Sequence, residues 1–470
     1  MAEGKAYSGA VNSALYFTAA VLPQAFQLIF LPIVLRLLPP EEFGIIGIGG
    51  AGMVGFMAVF TLGMSQVLYM LYFRTADKSR LIWQILYIYS GLIVLVGIVF
   101  LLLSKDIGQT MNTSSLVWAW VFASAVSEVL LELARSVIRL KRNALQYFIL
   151  MVLRGALSNL LFLFILYLGY RNGFYKFVSI ASVSGILFIV WTLRSGIFSA
   201  PVKPDRRLIR LIFMLGIPLT PTLLSELIFS VFSRIILAQN VQISDVGIYE
   251  LAMQLTTPLM FLMAAMLETA RPSILERVAD KAPVNQITAV HVQYILFVAL
   301  CGFGFLSIFS SELIHLFGGL VYAPAAQLVP LLALSRTILG VAIFFDILHI
   351  ARKRSRFLGL VAILKTILGI GMLVVLTRTN GGYGAAIALV LTAAFHLLVS
   401  WWWWRDEAAL KLTSLIPVSG IVGLFMISGT ELGLVWRALS YGAIVVFVGM
   451  SSLPLRQLAA FPIIRRFLPR

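Results

Sequence analysis

The chain has 470 residues, of which 60% are hydrophobic and only 12% charged, with 36 Lys and Arg against 19 Asp and Glu and a formal net charge of +17. A soluble domain carries roughly 25% charged residues, so the composition excludes an ordinary soluble protein, and a single cysteine, Cys301, excludes a disulfide framework and disfavours a Cys/His metal site. The basic excess does not read as a nucleic-acid surface, because it sits in short clusters between hydrophobic stretches.

Apolar stretches of about 20 residues, enough to cross a roughly 30 Å hydrocarbon layer as a helix, recur from end to end. The alternating ten-residue pattern of a β-barrel is missing. The polar start, Met1–Asn12, leads into an apolar stretch longer than a signal-peptide core and without a clear cleavage site. A first membrane helix is therefore expected over 12–38, with Pro23 and Pro32 marking bends. Further spans are expected at 44–72, 82–103, 113–138, 145–169, 174–194, 211–239, 246–270, 289–309, 325–350, 357–377, 383–404, 411–429 and 434–452, which makes 14. Pro218, Pro221 and Pro258, in the seventh and eighth spans, mark candidate moving parts.

Lysine and arginine set the expected orientation. With the N-terminus inside, external segments hold only Arg36, Lys105, Arg171, Lys176, Arg378 and Arg437. Four more cations, Arg154, Arg234, Arg336 and Lys365, fall within spans, and all the others fall in internal segments. Such a bias supports both termini being cytoplasmic. No connection is long enough for a soluble domain. The longest, a basic stretch at 195–210 with Pro201 and Pro204, reads as a cytoplasmic linker between an N-terminal lobe at 1–194 and a C-terminal lobe at 211–404. Residues 405–470 would hold the last two spans and a basic tail.

A weak internal repeat supports two halves. Glu41-Glu42-Phe43-Gly44-Ile45-Ile46 follows the first span, and Ser244-Asp245-Val246-Gly247-Ile248-Tyr249 follows the seventh. Both open the next helix at an odd-to-even connection, as parallel repeats would. The same residues, with Leu31-Pro32-Ile33-Val34-Leu35-Arg36-Leu37-Leu38-Pro39-Pro40 before the first motif, Ser233-Arg234-Ile235-Ile236-Leu237 before the second, the basic end Leu348 to Arg354, and Gly381-Gly382-Tyr383-Gly384-Ala385-Ala386-Ile387-Ala388, resemble the MOP flippase superfamily in its polysaccharide-exporter (Wzx-type) branch. Ser233 stands where that family usually has Asp. The resemblance implies an all-α integral membrane fold of two pseudo-symmetric, MATE-like six-helix lobes around a central cavity, plus two C-terminal helices. It also implies a transporter rather than an enzyme. Its substrate would be an undecaprenyl-diphosphate-linked oligosaccharide, such as an O-antigen repeat unit, flipped from the cytoplasmic to the periplasmic leaflet of a bacterial inner membrane. H+ or Na+ would be the coupling ion, with no other cofactor. Membrane lipids and polysaccharide-assembly membrane proteins are the candidate partners, and nucleic acid is not.

Ionisable residues inside a membrane cost about 2.5–3.5 kcal/mol each on insertion scales and are functional candidates by default. Arg336, Arg154, Arg234 and Lys365 are the candidates for a cationic cavity, since guanidinium groups bind phosphate oxygens bidentately and an ammonium offers a point charge. Glu226, Glu128, Glu132 and Asp346 are the ion-coupling candidates. Glu226 lies about 80° around the helix axis from Arg234. Glu128 and Glu132 share one helical face, with Arg135 a turn on, and Asp346 shares a turn with His349. The competing reading of each is a structural ion pair, or a long side chain reaching the interface. His396 reads as a hydrogen-bonded packing residue. The glycines at 44, 47, 49, 50, 52 and 55 read as close helix packing and not a P-loop, because no Gly-Lys-Ser/Thr follows. Competing functions are a multidrug cation antiporter or a peptidoglycan-precursor flippase on the same fold, a membrane polysaccharide polymerase or ligase, and a non-transporting scaffold. An antiporter for cations would favour an acidic cavity, and a polymerase or ligase a sizeable external catalytic loop.

Overall fold

The computed structural model describes residues 2–75, 77–195, 202–217, 231–279, 284–352, 354–404, 420 and 433–452. Among the described residues there is no strand. The chain divides into two compact units, Met1–Glu250 and Leu251–Arg470.

The first unit is built from α1 (Ala2–Leu37), α2 (Pro40–Thr61), α3 (Met64–Leu71), α4 (Lys78–Thr110), α5 (Ser115–Leu140), α6 (Ala144–Tyr167), α7 (Tyr175–Ser195), α8 (Arg206–Gly216) and α9 (231–240). Pro40 opens α2, and Glu41 and Glu42 in its first turn suit the positive end of the helix dipole. The expected span at 44–72 is two helices, because Leu62 (φ 38°) and Gly63 (φ 72°) turn the chain between α2 and α3. Helix α5 lies at the centre, packed on α2, α4, α6 and α7. Its Val129, Leu133 and Val137 are buried with Phe60, Val67 and Ile85. On α4, by contrast, Val94, Leu95, Ile98, Leu101 and Leu102 form an exposed apolar stripe at helical spacing. Such a stripe belongs against lipid tails, where packing rather than water exclusion holds helices together.

Small residues set the close approaches in this unit. A Cβ on Gly49 would collide with the Phe177 ring and one on Gly52 with Trp118, so these glycines admit α7 and α5. Gly50 faces open space. The two glycines of the repeated motif meet each other. A Cβ on Gly44 would strike the carbonyl of Ile243 and lie 3.1 Å from the Gly247 nitrogen. One on Gly247 would strike the carbonyl of Pro40 and lie 3.0 Å from the Gly44 nitrogen. Each glycine thus contacts the residue four positions before the other, a local two-fold crossing of α2 with the start of α10 (Ile243–Ala279).

The described part of the expected linker is clasped to α4. Tyr87 donates to the Val202 carbonyl (2.8 Å), and Gln84 donates to the Lys203 carbonyl (3.3 Å) while accepting from the Asp205 amide (2.8 Å). Asp205 caps α8 by accepting from the amides of Arg207 (2.9 Å) and Leu208 (3.4 Å), and it pairs with Arg80 at 2.8 Å. Partial desolvation pushes its carboxyl up, but those two amides and the Arg80 guanidinium outweigh it and hold the group below its usual value of 3.8. A depressed folded-state value means that the cap's contribution is complete above the usual aspartate range and is lost as pH falls through the lower value. Hydrogen exchange should therefore show protected Arg207 and Leu208 amides at neutral pH that lose protection only in strong acid. Asp205→Ala should remove that protection at every pH, and unchanged exchange in the variant would refute the clasp.

The second unit holds the remainder of α10 with α11 (Val284–Ile308), α12 (Ser310–Gly318), a 3-10 turn at Leu320–Tyr322, α13 (Ala325–Ala351), α14 (Ser355–Trp404) and α15 (Leu434–Ser452). Helix α13 is its most enclosed element, packed on α11, α12 and α14. Helix α14 has 50 residues, about 75 Å at 1.5 Å per residue, far longer than one span requires. It is broken at Asn380 (ψ 15°) and Gly381 (φ 53°). A Cβ on Gly384 would strike the Leu376 carbonyl, so the chain doubles back there and the expected spans at 357–377 and 383–404 form a hairpin.

Among the described residues eight helices are long and apolar enough to cross a membrane, or nine if the pair Gln293–Ile308 and Ser310–Gly318, bent by 63°, is one span. The expected count of 14 is therefore not reached there. One of the eight, Phe357–Trp403, contains two expected spans, while 411–429 apart from Gly420, and 218–230 of the expected seventh span with Pro218 and Pro221, lie outside the described residues. The chain is a multi-pass, all-α membrane protein.

Candidate functional site

A buried charge in an apolar helix needs a partner, and the fold brings partners from neighbouring helices. Glu128, 3% exposed, is the hub of the first unit. Its Oε1 accepts from Arg154 Nε on α6 at 2.7 Å and from Ser184 Oγ on α7 at 2.5 Å. Its Oε2 lies 3.2 Å from Arg135 Nη2, two turns further along the same face of α5. Arg135 Nε in turn sits 2.8 Å from Glu132 Oε2. Two carboxylates and two guanidiniums thus form one chain of charge that ties α5, α6 and α7 together and sums to zero. Beside it, Lys176 Nζ donates to Asn159 Oδ1 at 2.6 Å and lies over the Phe162 ring.

A further cation of this unit, Arg234 on α9, meets Glu250 on α10. Nε lies 2.8 Å from one carboxylate oxygen and Nη2 3.5 Å from the other, the forked pairing that guanidinium geometry favours. The Glu250 side chain lies against Gly47, about one helical turn from the Gly44–Gly247 crossing along α2. Glu250 was not among the sequence candidates. A carboxylate within an apolar span, close in sequence to a cation, was the available signal. Glu226 lies outside the described residues.

In the second unit Asp346 on α13 faces the second half of α14. His396 Nε2 lies 3.2 Å from its carboxylate and Ser400 Oγ donates to it at 3.3 Å. His349, a turn along α13 and fully buried, packs at a tilt against the Phe357 ring, which touches Trp403. Arg336, half-buried on α13, reaches the sulfurs of Met260 (3.4 Å) and Met253 (3.8 Å) on α10. Lys365 is half-buried on the first half of α14. Arg437, on α15, pairs with Glu312 at 2.5 Å and donates to the Ile308 carbonyl.

This arrangement allows a specific chemistry. A carboxylate that holds a guanidinium competes with any phosphate for it. Protonating Glu128 or Glu250 would free Arg154 or Arg234 to bind an anion, which is a direct way to couple proton uptake to anion binding.

The family profile described as "Polysaccharide biosynthesis protein" matches residues 10–276, more than half of the chain. Among solved structures, the inward closed conformation of the lipid II flippase MurJ is similar over 93% of this chain and 98% of its own, at 14% identity and a TM-score of 0.75. An inward-facing multidrug resistance MATE family transporter of the MOP superfamily is similar over 87% of this chain and 96% of its own, at 16% identity and a TM-score of 0.67. A MOP superfamily transporter from Pyrococcus furiosus with a binding pocket of reverse polarity is similar over 84% of this chain and 95% of its own, at 16% identity and a TM-score of 0.57. At such identities these likenesses establish the fold. A search of the curated proteins finds no match.

Proposed function

The chain belongs to the polysaccharide biosynthesis protein family, and from that premise we propose that it is a flippase for an undecaprenyl-diphosphate-linked oligosaccharide. The lipid-linked sugar passes from the cytoplasmic to the periplasmic leaflet of a bacterial inner membrane by alternating access. The protein works with both termini cytoplasmic and 14 spans, in two six-helix lobes (1–194 and 211–404) with two helices beyond them. Arg336, Arg154, Arg234 and Lys365 supply positive charge to the diphosphate. Glu128, Glu132, Glu226 and Asp346 carry the coupling, with H+ favoured over Na+ because the competition between carboxylate and phosphate for one guanidinium needs only a proton. The observation that carries this reading is the set of cations in membrane helices of a polysaccharide-biosynthesis family member, with Arg154 and Arg234 paired with carboxylates that protonation could neutralise. The fold is shared with multidrug transporters, but the family match favours a saccharide-bearing substrate.

The test is glycan export in a flippase-null strain supplied with its cognate glycan pathway. Wild type should restore export. Arg336→Ala at equal membrane abundance should reduce it about tenfold, the effect of losing one charge-assisted hydrogen bond of about 1.5 kcal/mol, and Arg336→Lys should recover part of it. Export untouched by the alanine variant would return Arg336 to a packing role. Failure of wild type with the cognate glycan would overturn the flippase assignment.

A further inference from the structure

One end of the first unit carries an open cleft of about 890 Å³, within the roughly 300–1,000 Å³ range of small-molecule sites. It is formed where three helix connections converge: the start of α2, the turn from α4 to α5, and the residues before α7. Its polar lining is dominated by neutral groups. Gln109, Asn112 and Asn172 contribute side-chain amides, and residues 113–115 contribute hydroxyls. Phe174 adds an aromatic surface and stacks on Tyr175 at 4.2 Å. The charged lining residues, Glu42 and Lys105, cancel, and Glu42 already accepts from the Gly173 amide at 2.7 Å.

The wall formed by the α4–α5 turn has its backbone fixed before any ligand arrives. The Thr113 amide bonds the Gly108 carbonyl (2.9 Å), Met111 bonds Ile107 (3.0 Å), and Trp118 Nε1 donates to Thr113 Oγ1 (2.8 Å). Asn112 is held in the left-handed region at φ 51°. A preset backbone along the α4–α5 wall loses little ordering entropy on binding. Amides and hydroxyls that both donate and accept match the adjacent hydroxyls of a sugar ring, while an aromatic surface suits its apolar face. A lining without excess positive charge gives a diphosphate nothing to prefer.

From this chemistry, and resting on the flippase reading for the source of its occupant, we infer that the cleft is a binding site for the neutral sugar rings of the glycan. In the proposed orientation it lies on the external face, so it receives the sugar end of the translocated product. It is separate from the buried cations, which are assigned to the diphosphate.

The test uses full-length protein in nanodiscs. The probe is the free oligosaccharide released by mild acid from the lipid-linked precursor of cells carrying the cognate glycan pathway. Saturation-transfer NMR should show saturable binding that inorganic pyrophosphate does not displace. Asn112→Gly, which keeps the left-handed backbone, combined with Asn172→Ala should weaken that binding about tenfold. Displacement by pyrophosphate, absence of saturable binding to wild type, or equal binding by the double variant with an unchanged melting temperature would each overturn the assignment. If wild type restores export yet binds no free glycan, the cleft assignment falls and the flippase reading stands. If wild type binds glycan at the cleft but never restores export, the flippase reading falls alone.

Discussion

Glu128→Ala is expected to destabilise the protein by about 3–5 kcal/mol, the scale for removing one partner of a buried ion pair. The carboxylate is 3% exposed and stands between Arg154 and Arg135. Removing it leaves two guanidiniums in a low-dielectric interior with Glu132 as their nearest neutralising neighbour, and Glu132 already pairs with Arg135 and accepts from Ser136. Ser184 also loses its acceptor. Glu128→Gln keeps the shape and an acceptor for Ser184 but not the charge, so with no phosphate bound to replace the carboxylate it should be nearly as damaging. A combined Glu128→Ala and Arg154→Met variant should recover much of the loss, because the stranded cation goes with the carboxylate. Thermal unfolding of the detergent-solubilised protein, followed by fluorescence-detected size exclusion, measures all three. A melting temperature for Glu128→Ala equal to wild type would mean that the network does not hold α5, α6 and α7 together.

Gly247→Val should strongly reduce glycan export at equal membrane abundance. Any Cβ at this position strikes the Pro40 carbonyl, and neither backbone can rotate away without breaking its own helix. Overpacking of this kind costs about 1–3 kcal/mol. If the α2–α10 crossing is made in one transport state and opened in another, that cost moves the equilibrium between them by roughly 5- to 150-fold. Gly44→Val should act in the same way from the other side of the crossing. Gly50→Val is the control, because its Cβ meets open space on the same helix. Equal export by Gly247→Val and Gly50→Val would show that the crossing does not open during transport.

The helical plan was legible because lipid leaves so few alternatives. A backbone in hydrocarbon must satisfy itself, so each long apolar stretch reads as a helix. The breaks were less legible. Leu62–Gly63 splits an expected span without any proline or charge to announce it, since the signal is a backbone angle. The repeat motif was visible as a pattern, but nothing in it revealed that its two glycines touch. Glu128, Glu132, Arg154 and Arg234 stood out because charges are rare in such stretches. Their partners did not, as the separations of 26 residues from Glu128 to Arg154 and 56 to Ser184 show.

By itself the sequence determined that this protein lives in a membrane, that it is helical, where most spans fall and which residues carry charge into them. Those properties follow from composition and local spacing, which act over a helical turn or the thickness of a bilayer. Only the tertiary structure decided which cation meets which carboxylate, that Gly44 and Gly247 cross back to back, and that three distant connections converge on an open cleft whose polar groups are mostly neutral. Contacts between helices depend on how the helices rotate and approach. That is set by the collective fit of many side chains, which no local stretch encodes alone.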